Sequence, residues 1–290
     1  MKIKFVTFFS KRWGWLSLWT ICALLFVLFV MIMSWANVHP WSDVSAERVA
    51  WYHQEQCETV RVSSFFLQFY NLWSNLAYLA GGLLIVWLST SGIGRAFGVV
   101  LIVLAVGSGW FHGSLTRSGQ ISDVVSVYCA MTSIIAFGLI EMVPLEEKGY
   151  AARMCFAVAL LLGLSAGMLR HRLWFFNSDY FMPFLAGLLV LCMAMTAIRG
   201  GKDKEPLLGP FIGSTMAGLL ALISNFTDGD RNIFARYGGD YSKCAYNPTG
   251  LIQGHSVWHL LTAMMFISVF EYLRSVRSRT QSIWPWRVVR

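Results

Sequence analysis

Three histidines stand out in this 290-residue chain: His112, His255 and His259, each at the end of a long apolar run. His255 and His259 lie four apart in H-S-V-W-H, a spacing that sets both imidazoles on one face of a helix. His112 closes the run G-S-G-W-F-H, with Ser108 one turn behind it and Asp123 eleven residues ahead. Ionisable side chains within apolar spans are costly and mark function. Three neutral imidazoles bind zinc and leave its fourth position for water, whose pKa falls to about 7. Hydrolysis also needs a proton carrier and a donor for the developing oxyanion. The zinc proteases take their carboxylate from H-E-x-x-H, but Ser256 follows His255 here and no Glu lies between the histidines. Asp123 is the acid nearest the expected site, and Ser108 is placed to orient water or donate to the oxyanion.

A lone intramembrane His is more often a packing or hydrogen-bonding residue, and a lone Ser commonly serves helix packing. An i,i+4 pair with a third His and an Asp at matching depth is a different matter. Axial haem ligation is excluded for His255 and His259, because ligands from one helix face cannot sit on opposite sides of one haem. His39, His53 and His171 fall in loops or at interfaces without a partner pattern. Asn71, Ser74 and Asn75 read as makers of interhelical hydrogen bonds, with Asn71 and Asn75 sharing a face that could point into a cavity.

The elements that must position these residues are membrane helices. The chain is 56% hydrophobic and 13% charged, with a mean hydropathy of +0.56. A soluble domain carries roughly a quarter charged residues. Apolar stretches of about 20 residues fit a spanning helix, and eight are expected, near 15–34, 67–89, 95–114, 121–141, 152–170, 180–198, 209–227 and 254–273. The expected fold class is all-α: a polytopic membrane bundle with a seven-helix hydrolase core and one N-terminal anchor helix. Residues 1–36 form a cytoplasmic N-terminus and anchor, with a cleaved signal peptide as the alternative. Residues 37–66 form an extracytoplasmic loop, 67–274 the seven-helix catalytic bundle, and 275–290 a cytoplasmic basic tail.

The net charge of +8 does not indicate nucleic acid, because its distribution follows the positive-inside rule. Of the 23 Lys and Arg residues, 15 fall on the side of the N-terminus and eight on the other. That asymmetry puts both termini in the cytoplasm and the five candidate residues at one depth, near the extracytoplasmic face. Cys22, Cys129, Cys155 and Cys192 fall within apolar segments, where packing is the ordinary role. Cys57 and Cys244 fall in the two longest extracytoplasmic loops, where an oxidising compartment permits a bridge.

At these residues the chain resembles the alkaline ceramidases, seven-helix membrane zinc hydrolases related to adiponectin-receptor-like and Per1-like proteins. The likeness runs from about Cys57 to Arg274. It is carried by F-Y-N-L-W-S-N at 69–75, G-S-G-W-F-H with the later Asp at 107–123, and H-S-V-W-H at 255–259. The resemblance implies that His112, His255 and His259 hold zinc, that Ser108 and Asp123 work beside it, and that Cys57 pairs with Cys244. It further implies hydrolysis of the N-acyl amide of a ceramide-like lipid drawn from the membrane, giving a sphingoid base and a fatty acid. The family also has an acidic calcium site before its first helix, where Glu55 and Glu58 match. Gln68 stands where the family has Glu, and the intervening loop is one residue shorter, which thins the oxygen set calcium prefers. The residues themselves leave open a Per1-like lipid esterase and an adiponectin-receptor-like membrane protein with structural zinc. They also leave open the oligomeric state.

Overall fold

The computed structural model describes residues 41, 44–49, 58–142, 149–199, 208–226 and 253–275. Among them the regular structure is entirely helical. In chain order the elements are α1 (Phe69–Ser74), α2 (Leu76–Leu88), α3 (Gly92–Ser114), α4 (Arg117–Met142) and α5 (Tyr150–Leu169). A 3-10 turn (Trp174–Phe176) follows, then α6 (Ser178–Arg199), α7 (Leu208–Phe226) and α8 (Gly254–Ser275). Among the described residues, six stretches are long and apolar enough to cross a membrane, with α1 and α2 counting as one. In α7 the apolar stretch is shorter, Pro210–Ile223. The chain is thus a polytopic helical bundle. The anchor expected at 15–34 lies outside the described residues.

The first core span, expected as one helix over 67–89, is broken at Asn75. The cause is local competition for a carbonyl. Ser74 Oγ donates to Asn71 O at 2.8 Å and Asn75 Nδ2 donates to the same oxygen at 2.7 Å. The Asn75 N–H turns instead to Leu72 O at 3.1 Å, a tighter, 3-10-like step.

In a membrane bundle, small and polar residues mark the inner faces, since lipid is as apolar as any core. On α3, Val99, Val103, Val106 and Trp110 form an exposed stripe, while Leu101, Leu104, Ser108 and His112 are buried on the opposite face. The same 3.6-residue period that turns the valines outward therefore turns Ser108 and His112 inward. On α5, Gly163 and Gly167 form a G-x-x-x-G stripe against α4. An added Cβ would meet Cys129 Cα at 2.8 Å from the first and Val125 Cα at 2.7 Å from the second. Aromatic rings fill the middle of the bundle, with Phe270 of α8 stacked on Phe97 at 5.8 Å and on Phe137 at 4.8 Å.

One end of the bundle is capped by the chain that precedes α1. Leu67 N donates to Gly113 O and Gln68 N to His112 O, each at 3.0 Å, taking up carbonyls that the end of α3 leaves unpaired. Helix α3 stops at Leu115, whose φ of 48° is left-handed; its carbonyl accepts from Arg48 Nε. Leu67, Phe111 and Leu115 form a small buried cluster with Trp41, Val44 and Val60 against it. The described part of the stretch before α1 thus packs through apolar side chains as well as through the polar ones its composition advertises.

Candidate metal centre

The inward face of α3 and the first turns of α8 meet under this cap. His112 sits 0% exposed on α3 and His259 1% exposed on α8, while His255 is half-buried. Their ring centroids are 5.0 Å apart for His112–His255, 5.0 Å for His112–His259 and 4.6 Å for His255–His259. One nitrogen from each ring lies within 4.8 Å of the other two. Trp258 stacks on His255 at 5.5 Å, and Tyr78 meets His259 edge-on at 5.8 Å. The Tyr78 hydroxyl is itself held by Thr262 Oγ1.

Hydrogen bonds assign the protons on two of these rings. His112 Nδ1 lies 2.7 Å from Gln68 Oε1; an amide oxygen only accepts, so Nδ1 carries the proton. His259 Nδ1 lies 2.7 Å from Ser74 Oγ. The Ser74 hydroxyl already donates to Asn71 O, so it accepts from His259 and Nδ1 is again the protonated nitrogen. Both rings therefore present a bare Nε2 lone pair. His112 Nε2 is buried without a hydrogen-bond partner, which is unusual for a polar atom. Three imidazoles grouped in this way, two of them with Nδ1–H held by an outer acceptor, could hold a metal ion.

Ser108 and Asp123 meet beside this centre because α3 and α4 touch there. A Cβ on Gly107 would lie 2.8 Å from Ser126 Oγ and 2.9 Å from Ser122 Oγ, so only glycine lets the helices approach next to Ser108. Asp123 follows Ser122, and its carboxyl is acted on by the Ser108 hydroxyl and by the Arg170 guanidinium. The Ser108–Asp123 contact is looser than a hydrogen bond. Ser108 Oγ is buried and has no partner of good geometry among the described residues.

Two residues with direct bonds to the histidines were not anticipated as such. Ser74 is expected to make an interhelical bond, and its partner is His259, 185 residues away. Gln68 registered only as a departure from an acidic pattern. It is 44 residues from His112, and no local signal joins them. Glu58 accepts from Tyr70 N at 2.7 Å and from Asn71 N at 2.8 Å, one N–H to each carboxylate oxygen. It thus caps α1 from a distance. Burial pushes the Glu58 pKa up, against the N–H groups of Asn71 and Tyr70 and the Arg61 charge. Cys129, Cys155 and Cys192 are free thiols. Glu55, Cys57 and Cys244 lie outside the described residues, so the calcium and disulfide expectations stay as the sequence left them.

No curated protein matches the chain. A family model described as Ceramidase matches residues 54–289 of the 290. That stretch contains every residue of the histidine centre, and the chain belongs to the ceramidase family, hydrolases of ceramide.

Proposed function

We propose that the chain is a zinc-dependent amidohydrolase that cleaves the N-acyl bond of ceramide-like lipids into a sphingoid base and a free fatty acid. The observation that carries this reading is the convergence of His112, His255 and His259, with Ser108 and Asp123 at the adjoining α3–α4 contact. The three imidazoles would hold zinc, which when bound supplies a Lewis acid for the amide carbonyl and lowers the pKa of water to about 7.

The protein's own groups move the protons. Asp123 accepts a proton from the attacking water as the new C–O bond forms, and returns it to the amide nitrogen as the C–N bond breaks. The Ser108 hydroxyl donates to the carbonyl oxygen while that oxygen carries negative charge. The released fatty acid then loses its proton to solvent. Apolar helix faces around the centre hold the acyl chain and keep bulk water from the amide. In this reading Glu58 serves α1 with both oxygens, and calcium has no assigned step.

The charge asymmetry of the loops supports cytoplasmic termini and a centre facing the extracytoplasmic side. Chemistry at Asp123 is tested by Asp123→Ala in purified protein, assayed on ceramide beside a matched ester lipid. Turnover of ceramide is expected to fall by about 10²–10⁴-fold, with zinc content unchanged from wild type. Normal activity in that variant would remove Asp123 from the mechanism. Faster cleavage of the ester by wild type would move the substrate class.

A further inference from the structure

A single seven-residue stretch, Gln68 to Ser74, bonds to both helices that bear the histidines. Gln68 Oε1 accepts from His112 on α3 at 2.7 Å. Ser74 Oγ accepts from His259 on α8 at 2.7 Å. Between them, Asn71 Oδ1 accepts from Ser256 Oγ, beside His255, at 2.9 Å. Gln68 and Asn71 are fully buried and Ser74 is 9% exposed, so water does not replace these bonds cheaply. The stretch is fixed from outside, because Leu67 N and Gln68 N are bonded to the end of α3 and Glu58 holds Tyr70 N and Asn71 N. A six-residue helix has little stability of its own. The position of α1 is therefore set by these bonds, and α1 in turn sets the rings.

The consequence is chemical as well as geometric. A neutral imidazole has two tautomers, and only the one with Nδ1–H offers Nε2 as a ligand. Without an acceptor at Nδ1 the ring is free to rotate or to carry its proton on Nε2, and either change removes a ligand. Resting on the metal centre proposed above, we infer that Gln68 and Ser74 are positioning residues that set the affinity of this centre for its divalent cation, with α1 as a bracket between α3 and α8. Gln68 makes that affinity adjustable. Its neutral amide is a weaker acceptor than a carboxylate, so His112 is a less basic ligand than the site's geometry would allow.

The test is zinc affinity of the full-length protein in detergent, measured by competition with a chromophoric chelator, with the visible absorption of the cobalt-loaded protein alongside. Gln68→Leu and Ser74→Ala are each expected to weaken zinc by about 10–100-fold and to change the cobalt bands. Gln68→Glu keeps the acceptor and adds charge, and is expected to bind zinc more tightly than wild type. If wild type binds zinc and the Leu and Ala variants bind it equally well, the bracket is wrong and the metal centre stands. If wild type binds no zinc, the centre itself is wrong. Should Gln68→Leu fail to fold, Gln68→Glu decides alone, because an affinity no tighter than wild type overturns the proposal.

Discussion

Ser108 has the least conspicuous chemistry in the centre and the most specific expectation attached to it. Its hydroxyl is buried beside Asp123 with no hydrogen-bond partner of good geometry among the described residues. A buried hydroxyl left unpaired costs about 1–3 kcal/mol, a cost that a bond made only to the transition state would offset. Ser108→Ala should therefore leave the fold and zinc content intact while lowering kcat by about 10²–10³-fold, with KM little altered. Single-substrate kinetics on ceramide check this, and an equal change in KM with constant kcat would assign Ser108 to ground-state binding instead. At this scale the sequence was informative about the three histidines that meet. Their residue types and the four-residue spacing of His255 and His259 are intrinsic to the chain. It did not join Gln68 to His112, a bond made where Leu67 and Gln68 dock on the end of α3.

Two elements decide whether these residues meet. The first is the α3–α4 junction, where Gly107 lies so close to Ser122 and Ser126 that a methyl group there would meet oxygen at 2.8–2.9 Å. Gly107→Ala is expected to cost about 1–3 kcal/mol through overpacking and to lower turnover by spreading Ser108 from Asp123. Thermal unfolding in detergent and activity of the same preparation should move together, whereas Gly92→Ala, where nothing lies within 4 Å, should move neither. The second is α1 with its remote cap. Burial raises the Glu58 pKa above its ordinary 4.5, so the folded chain binds that proton more tightly than the unfolded chain. Stability contributed by this carboxyl therefore rises as pH falls through the raised value and levels off below 4.5. Compared with Glu58→Gln, wild type should gain relative stability on going from about pH 7 to about pH 5. Unfolding midpoints of both proteins across that range check the sign.

For the whole molecule, the membrane is what makes the arrangement economical. Lipid-facing stripes such as Val99, Val103, Val106 and Trp110 need no polar partner, while every buried polar side chain needs one inside the bundle. The polar groups of α1, α3 and α8 consequently gather at one end, under the cap formed by Leu67, Phe111, Leu115 and Trp41. The opposite part of α8 carries the buried Glu271, bonded to Arg274 at 2.6 Å, and aromatic packing through Phe270. A ceramide, the substrate of the family to which the chain belongs, resides in the same apolar phase that surrounds these helices.

The chain alone determined that it forms membrane helices, where most of them run, and which three imidazoles come together. Hydropathy and helical period are properties of consecutive residues, and they need no knowledge of neighbours. Tertiary structure decided the rest. The break at Asn75 comes with two side chains, Ser74 and Asn75, taking one carbonyl, and the tautomers of His112 and His259 come from acceptors brought by a separate stretch. The first is a choice of backbone partner within one turn that hydropathy does not register, and the second depends on distances between segments far apart in sequence, which side-chain type and spacing do not encode.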